Sequence, residues 1–412
     1  LAPQVLGIPK LAVSDYKGVS YARKFPDAKR VYERASPFGY IEVYASSYLH
    51  FAPGQSDNAA FNLEKMPSNA YLGLYIDSEG PAGIIKDLPA EQTAYFKYLP
   101  MYYPYLLKMD PKTFVVQFGG GISTAVALKS GSSQVTVAEG NPALLSAFRE
   151  DKFLRDFTGD VLNNPKVNVI DYDGRLYVAH TKNRYDVIDL SLADSAGLSS
   201  PGGFSIVEKY SYSREAMSAY MRALTPGGIL SVTLWNKEEP PKSVLKLYAT
   251  MAAAARDVAK DQGGDGKDIA QKFYVVSSYL STATVLYKRD GFTPKEIEEL
   301  NAHTKAMSFD EIYYPGFKVD TSGLKQILQD YRDQFFFAGQ AHDPTAPAET
   351  EPNDKPPPGA TTEGAGEAKA DGPPPAPVVP ATVLGRLAWH YLINGGWQQV
   401  ADEYVFDTRI LT

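Results

Sequence analysis

Three consecutive glycines follow an apolar segment in the stretch Thr113-Phe-Val-Val-Gln-Phe-Gly-Gly-Gly-Ile-Ser-Thr124. Because glycine has no Cβ, a turn built from Gly119, Gly120 and Gly121 lets the backbone come very close to a ligand at the start of a helix. Glu139 lies twenty residues after Gly119, at the end of the next apolar segment. An acidic side chain there can accept hydrogen bonds from both hydroxyls of a ribose. The order of strand, glycine turn, helix and acid indicates a nucleoside-binding site.

The details of the glycine run argue against two common nucleotide classes. It reads G-x-G-x-x-T, with Thr124 where dinucleotide-binding folds prefer a third glycine, and no Lys-Ser/Thr pair follows as in a P-loop. NAD and ATP are therefore disfavoured. Further along, Asp173 and Gly174 follow a third apolar segment, and the Asp173 carboxylate could accept a hydrogen bond from an adenine amino group. A solvated Asp-Gly turn is the alternative interpretation.

The elements that must position these residues follow from hydrophobic patterns. Between residues 90 and 260, apolar strands alternate with helical patterns, which is typical of a parallel α/β sheet. The predicted strands are 115–118, 135–138, 167–170, 187–188 and 229–234. A helix with Met217, Tyr220, Met221 and Leu224 on one face, interpreted as core packing, should end at Pro226. Upstream, alternating runs at 40–44 and 71–76 predict the strands of a small β domain.

We predict six regions along the 412 residues. An N-terminal extension (1–30) precedes the small β-rich domain (31–105) and a Rossmann-like nucleoside-binding domain (106–260). A helical extension (261–340) follows, in which Thr293-Pro-Lys-Glu296 should start a helix with a capping box. Residues 341–382 hold eleven of the thirty prolines and no large apolar residue other than valine, which predicts a flexible linker. The segment 383–412, with Trp389 and Trp397, should pack back onto the body.

The composition excludes several function classes. A net charge of −7 gives no basic field for nucleic acid. The absence of cysteine excludes thiol catalysis, iron–sulfur clusters and Cys-ligated zinc. The five histidines form no i, i+4 pair, so no metal site is expected. No apolar run approaches the roughly 18 to 20 residues of a membrane helix.

Several motifs together resemble the spermidine synthase family of aminopropyltransferases, which is built on the S-adenosylmethionine methyltransferase fold. They are Gly119-Gly-Gly121, Glu139, Asp173-Gly174, Tyr185-Asp-Val-Ile188 and Leu224-Thr-Pro-Gly-Gly228, and the resemblance covers about residues 30 to 235. A second set is similar to large bacterial spermidine-synthase-like proteins in which this domain is attached to a membrane-embedded part. That set comprises Tyr16-Lys-Gly-Val-Ser20, Ser36-Pro-Phe-Gly39, Ser191-Leu-Ala-Asp-Ser195, Ser200-Pro-Gly-Gly203 and Tyr313-Tyr-Pro-Gly316. The resemblance implies a bacterial protein, cytoplasmic or membrane-associated, of which this chain is the soluble portion.

The resemblance also implies roles for the site residues. The three glycines would line the methionine-derived tail and sulfonium of S-adenosylmethionine or its decarboxylated form, Glu139 would hold the ribose and Asp173 the adenine. Two positions depart from the family. Ile122 stands where an Asp helps to bind the amine of the donor, and Ser191 stands at the catalytic Asp that activates the attacking amine.

The loss of that Asp matters because a protonated polyamine has no lone pair until a base removes a proton. A serine without a neighbouring base does not accept that proton at neutral pH. Asp194, three residues further, or Asp189 at the strand end could take the role, and Tyr212 could line the acceptor pocket. Ser191 and Asp194 are therefore the candidate catalytic residues.

Three functions stay open at this point. The first is transfer of an alkyl group from the sulfonium donor to an amine acceptor, mainly by positioning. The second is methyl transfer, which needs no strong base because sulfonium is an excellent leaving group. The third is an inactive subunit with a binding or structural role in a membrane-associated assembly or a homo-oligomer. The aromatic segments 95–105 and 335–337 would then be contact surfaces, with buried core as the alternative.

Overall fold

A computed structural model of the chain describes residues 13–49, 70–192, 210–236, 238–278, 281–338 and 380–408. Within the N-terminal part, a short helix precedes a four-stranded antiparallel sheet whose strands pair in chain order. The elements are α1 (Gly18–Arg23), β1 (Lys29–Ser36), β2 (Gly39–Ala45), β3 (Tyr71–Ile76) and β4 (Glu79–Ile85). The strands predicted at 40–44 and 71–76 are confirmed.

The second sheet has eight strands in the order β12-β10-β11-β9-β8-β5-β6-β7. Their bounds are β5 Lys112–Val115, β6 Gln134–Ala138, β7 Val167–Ile170, β8 Tyr185–Ser191, β9 Leu224–Trp235, β10 Phe273–Ser277, β11 Thr282–Lys288 and β12 Asp310–Tyr313. The strands β5 to β9 pair in parallel, and β11 runs antiparallel between β9 and β10. The predicted Rossmann-like α/β fold with a small N-terminal β domain is confirmed.

The strand order reverses direction between β5 and β8. From β5 the chain proceeds outward to β6 and β7, whereas β8 returns to the other side of β5 and continues to β9. In open α/β sheets, ligands bind at the carboxyl ends of the strands at such a reversal. The glycine turn follows β5 and Ser191 ends β8, so both lie at this point.

Helices cover both faces of the sheet. The bounds are α2 Ile122–Lys129, α3 Pro142–Glu150, α4 Lys152–Thr158, α5 Gly174–His180, α6 Arg214–Arg222, α7 Ser243–Asp261, α8 Pro294–Ala306, α9 Leu324–Ala338, α10 Pro380–Asn394 and α11 Trp397–Glu403. Side chains alternate between faces along a strand. Accordingly, Val187 packs in the cluster formed with α2 and α3, while Ile188 and Leu190 pack in the cluster formed with α6 and α7. No helix in the described ranges has the length and apolar content needed to cross a membrane.

The structure confirms several local predictions. Met217, Tyr220 and Met221 on α6 are completely buried in the core. Thr293 and Glu296 form the predicted capping box at the start of α8. The aromatic segment 95–105 is largely buried core rather than contact surface, with Tyr95, Phe96, Met101, Tyr103 and Tyr105 all at most 9% exposed.

Other elements differ from the sequence interpretation. The sheet continues past residue 260, because β10, β11 and β12 add three strands where a helical extension is predicted. The glycine pair at 227–228 lies inside β9 instead of directly ending α6, which stops at Arg222. The predicted Pro-rich linker falls outside the described residues except for its last three, which begin α10.

The two sheets meet at the glycine turn. Ile84 of β4 forms an isolated antiparallel bridge with Gly121. A Cβ added to Gly120 would lie 1.8 Å from the carbonyl oxygen of Gly83. Glycine at position 120 is therefore required by the contact with β4, independently of any ligand.

We predict that Gly120→Ala destabilises the fold by about 3 kcal/mol, because the backbone of β4 must move to admit the methyl group. Urea unfolding followed by circular dichroism measures the loss. The matched control is Gly323→Ala, where the nearest atom to the new Cβ is Ile327 Cδ1 at 4.0 Å. The control should change stability by less than about 0.5 kcal/mol. Equal stability of the two variants would contradict the close packing at Gly120.

Within the described C-terminal residues, Trp389 packs into the main core. The Trp389 side chain is fully buried, and its ring centroid lies 4.9 Å from that of Phe273 and 5.5 Å from that of Tyr313. We expect Trp389→Ala to lower the unfolding free energy by about 3–5 kcal/mol through the lost burial and the cavity left behind. Trp397→Ala, at a half-buried position, should lose only about 1 kcal/mol in the same thermal or urea melts. A Trp389 variant as stable as the Trp397 variant would argue against this packing.

Candidate functional site

The glycine turn combines two left-handed residues with one packing residue. Gly119 has a φ of +55° and Gly121 a φ of +83°, a region that side-chain-bearing residues rarely adopt. Gly121 is the N-cap of α2, and its N–H donates to the carbonyl of Phe118 at 2.9 Å. A Cβ on Gly119 would meet no atom within 4 Å. The turn therefore leaves open space beside Gly119 while Gly120 is covered by β4.

Glu139 is joined directly to this turn. It directly follows β6, is 4% exposed, and its Oε2 accepts a hydrogen bond from the N–H of Gly119 at 3.1 Å. Its Oε1 accepts from the N–H of Asn141 at 2.9 Å. These bonds hold the carboxylate at the carboxyl ends of β5 and β6, beside the glycine turn.

Asp173 and Gly174 lie at the start of α5, next to the Glu139 turn. Asp173 is the N-cap of the helix, since its Oδ1 accepts from the N–H of Leu176 at 3.0 Å. A Cβ added to Gly140 would lie 3.8 Å from the Cα of Asp173, so the two loops are neighbours. A Cβ on Gly174 would lie 2.2 Å from the carbonyl oxygen of Val116, which makes Gly174 a packing residue.

Ser191 is the last residue of β8 and contacts the buried carboxylate of Asp189. From the sequence, Asp189 is named only as an alternative to Asp194 for the role of the missing base. The Ser191 hydroxyl donates to Asp189 Oδ1 at 2.5 Å. Asp189 is 2% exposed, and burial raises the pKa of its carboxyl group to about 6, although hydrogen bonds from the hydroxyls of Ser123 and Ser191 act in the opposite direction. The contact was detectable in principle, because residues i and i+2 of a strand share a face.

The space between these groups is narrow. A cavity of about 30 Å³ lies beside the turn, which is room for few water molecules, whereas pockets for drug-sized ligands measure about 300–1,000 Å³. Its described walls are Ala82, Gly83, Met101, Gln117, Phe118, Gly119, Gly120, Ile122, Ser123, Ser191 and Leu192. Ile122 therefore borders the cavity, at 8% exposure. A larger cavity of about 450 Å³ lies between β4 and α2 and is lined by Lys86, Lys129 and Lys166 among others.

Two further candidates from the sequence are Tyr212 and Asp194. Tyr212 is 6% exposed and packs in the core with α6, away from the walls of the small cavity. Asp194 lies outside the described residues. Across the described ranges, no cluster of three or more His, Asp or Glu residues is placed to hold a metal ion.

The sequence is similar to a curated protein. No protein-family model matches it. The chain is 28% identical over 174 residues to the polyamine aminopropyltransferase of Nitrosomonas europaea, an alignment that covers 42% of this chain and 49% of the relative. The chain therefore spans about half the length of that relative.

Three solved structures also match, each at 15% identity. Spermidine synthase from Thermotoga maritima gives a TM-score of 0.41 over 66% of this chain and 79% of that chain. A probable spermidine synthase from Corynebacterium glutamicum gives 0.42 over 70% and 97%. A spermidine synthase in complex with the transition state analogue AdoDATO gives 0.40 over 69% and 80%.

The family resemblance drawn from the motifs thus agrees with an independent alignment and with the topology of the main sheet. Over the shared stretch the chain is similar to a polyamine aminopropyltransferase, and its main sheet is a Rossmann-like α/β sheet.

Proposed function

We propose that the chain is a spermidine-synthase-like transferase. It binds S-adenosylmethionine or its decarboxylated form at the carboxyl ends of β5 and β6. It then transfers an alkyl group from the sulfonium to an amine acceptor. The similarity to a polyamine aminopropyltransferase supports the reaction class, and the reversal of strand order between β5 and β8 supports the location.

The single observation that carries the proposal is the link between Glu139 and Gly119. The hydrogen bond of 3.1 Å between the Gly119 N–H and Glu139 Oε2 joins the acid to the turn. A nucleoside bound at this edge would have its ribose beside the Glu139 carboxylate and its sulfonium tail beside the glycines. Asp173, at the start of α5 and adjacent to the Glu139 loop, is the residue for the adenine amino group.

The chemistry asked of the protein is mostly positioning. The acceptor nitrogen attacks the carbon bonded to sulfur in line with the breaking bond, and the thioether leaves with the bonding electrons. Holding both reactants in this geometry supplies a large part of the rate enhancement. The remaining requirement is a neutral attacking amine, which depends on a proton acceptor near the sulfonium carbon.

A second candidate is a binding or structural module that has lost turnover. The observation in its favour is the cavity of about 30 Å³ beside the glycines, bordered by Met101 and Ile122, which is too small for an adenosine unless those side chains move. A methyltransferase is the third candidate. It is favoured by Ile122 and Ser191 because, according to the family resemblance, they replace the donor-amine Asp and the catalytic Asp.

Titration calorimetry separates the candidates. Binding of decarboxylated S-adenosylmethionine together with consumption of putrescine, measured by chromatography of the products, would support the proposed transferase. Binding of S-adenosylmethionine alone would favour methyl transfer. Absence of heat with both donors and with methylthioadenosine would leave the non-catalytic module.

We predict that Glu139→Gln weakens binding of the donor by about 1–3 kcal/mol, because a charged acceptor of the ribose hydroxyls is lost. The dissociation constant measured by calorimetry should rise about 5- to 150-fold.

The matched control is Glu238→Gln. The Glu238 carboxylate also accepts from two backbone N–H groups, those of Lys242 at 3.2 Å and Ser243 at 2.7 Å, at the start of α7. Both substitutions replace a carboxylate that accepts hydrogen bonds from backbone N–H groups. Only Glu139 lies at the proposed donor site, so only Glu139→Gln should lose affinity for the donor. Unchanged affinity in Glu139→Gln would refute the ribose assignment.

A further inference from the structure

The proposed transfer to an amine lacks an obvious base. At neutral pH an alkylamine is protonated and must lose a proton before it attacks. At the end of β8 the cavity is bordered by Ser191, whose hydroxyl cannot remove that proton unaided. The contact between Ser191 and Asp189 supplies the missing group.

The geometry of the pair is set by β8. Residues 189 and 191 share one face of the strand, and Ser191 Oγ lies 2.5 Å from Asp189 Oδ1. The backbone at Asp189 is held on both sides. It pairs with Val115 of β5 and Ser231 of β9, and its carbonyl accepts from the N–H of Val116 at 2.9 Å.

The pair spans the boundary between core and cavity. Asp189 is 2% exposed and is not among the residues that border the small cavity, whereas Ser191 is partly exposed and borders it together with Gly119. The Ser191 hydroxyl therefore connects the cavity to the buried carboxylate.

We propose that Ser191 and Asp189 form a proton relay for the amine acceptor of the transferase proposed above, on which this inference rests. The acceptor R–NH₃⁺ donates a hydrogen bond to Ser191 Oγ. One proton moves from nitrogen to Ser191 Oγ while the hydroxyl proton of Ser191 moves to Asp189. The resulting R–NH₂ attacks the sulfonium carbon, the C–N bond forms, and the C–S bond breaks with its electrons on sulfur. The proton held by Asp189 later returns to solvent.

The surroundings suit this role. Ser123 of α2 gives the Asp189 carboxylate a second hydroxyl hydrogen bond. Tyr105 faces it from the 3₁₀ segment Pro100–Leu106, and burial, with Asp189 adding to it, raises the pKa of that phenol, so Tyr105 stays neutral. Thr233 of β9 lies 3.2 Å from Ser191 Oγ and can orient the hydroxyl. With its pKa near 6, Asp189 is mostly ionised at pH 7 to 8 and can accept a proton there.

The test uses steady-state rates of the full chain with decarboxylated S-adenosylmethionine and putrescine, together with calorimetric donor affinity. Ser191→Ala and Asp189→Asn should each lower kcat about 10²- to 10³-fold with donor affinity unchanged, the range expected for loss of general base catalysis. In the wild-type chain, kcat should fall tenfold per pH unit below about 6, because protonated Asp189 accepts no proton. That acidic limb should disappear in Asp189→Asn.

A matched control lies on the same strand. Asp186 of β8 also carries a hydrogen-bonded carboxylate, which accepts from the N–H of Lys112 at 2.9 Å and from Thr225 Oγ1 at 2.7 Å, at the opposite end of the strand. Asp186→Asn should keep the wild-type rate and pH profile. The double variant Ser191→Asp with Asp189→Asn places a carboxylate directly at the cavity and should recover most of the lost rate.

Different results identify which proposal fails. If the wild-type chain binds no donor and transfers nothing, the proposed function itself fails. If the wild-type chain is active and Ser191→Ala keeps its rate, the relay is refuted. A rate loss in Ser191→Ala that parallels a loss of donor affinity also refutes the relay, because it indicates a structural role for Ser191. An acidic limb of the pH profile that persists in Asp189→Asn refutes it too, because the titrating group is then not Asp189.

Discussion

The approach of β4 to the glycine turn is the constraint on which the site depends. The 1.8 Å between a hypothetical Gly120 Cβ and the Gly83 carbonyl shows that two backbones occupy nearly all of the space there. The Ile84–Gly121 bridge fixes the small β sheet against the end of β5. The same contact explains why the neighbouring cavity is small, since its walls include Ala82 and Gly83 from β4. Gly120 thus permits the close packing of β4, Gly119 and Gly121 adopt the left-handed backbone conformation, and Gly119 leaves open space beside the turn.

Two buried carboxylates lie on either side of this turn, and their environments give them different roles. The Glu139 carboxylate accepts from the N–H groups of Gly119 and Asn141. These backbone groups only donate, so they stabilise the ionised form of the carboxylate. Asp189 is held by hydroxyl groups, which can both donate and accept a proton. Its burial in the sheet raises its pKa to about 6. A fixed anion suits the binding of a sugar, whereas an anion with a hydroxyl at the cavity wall suits proton transfer.

The sequence predicted what depends on local pattern. The strands β6 to β9, the buried face of α6 and the capping box of α8 each follow from residue types within a few positions of one another. The role of Gly120 was not predictable, because Gly83 lies 37 positions earlier and only the fold brings them together. The strands β10 and β11 were missed because the interpretation of this region relied on the helix start at Thr293, although Val275, Val276 and Val285 carry the β-branched side chains of buried strands. Glu139 and Gly119 were placed together correctly by their spacing, but the volume of the neighbouring cavity depends on side chains from β4 and α2 that no spacing rule connects.

The three candidate functions differ most in what they require of Ser191. Transfer to an ammonium acceptor needs a proton acceptor at the cavity, and the hydroxyl bonded to Asp189 provides one. Methyl transfer to an acceptor that is already neutral needs none, and a structural module needs neither the hydroxyl nor the buried charge. Burying an ionisable carboxyl group so deeply that its pKa rises to about 6 costs folding stability at neutral pH. A structural module gains nothing from that cost, since a neutral side chain of the same shape would form the same strand. The buried charge at Asp189 is therefore better explained by chemistry at the end of β8 than by the architecture of the sheet.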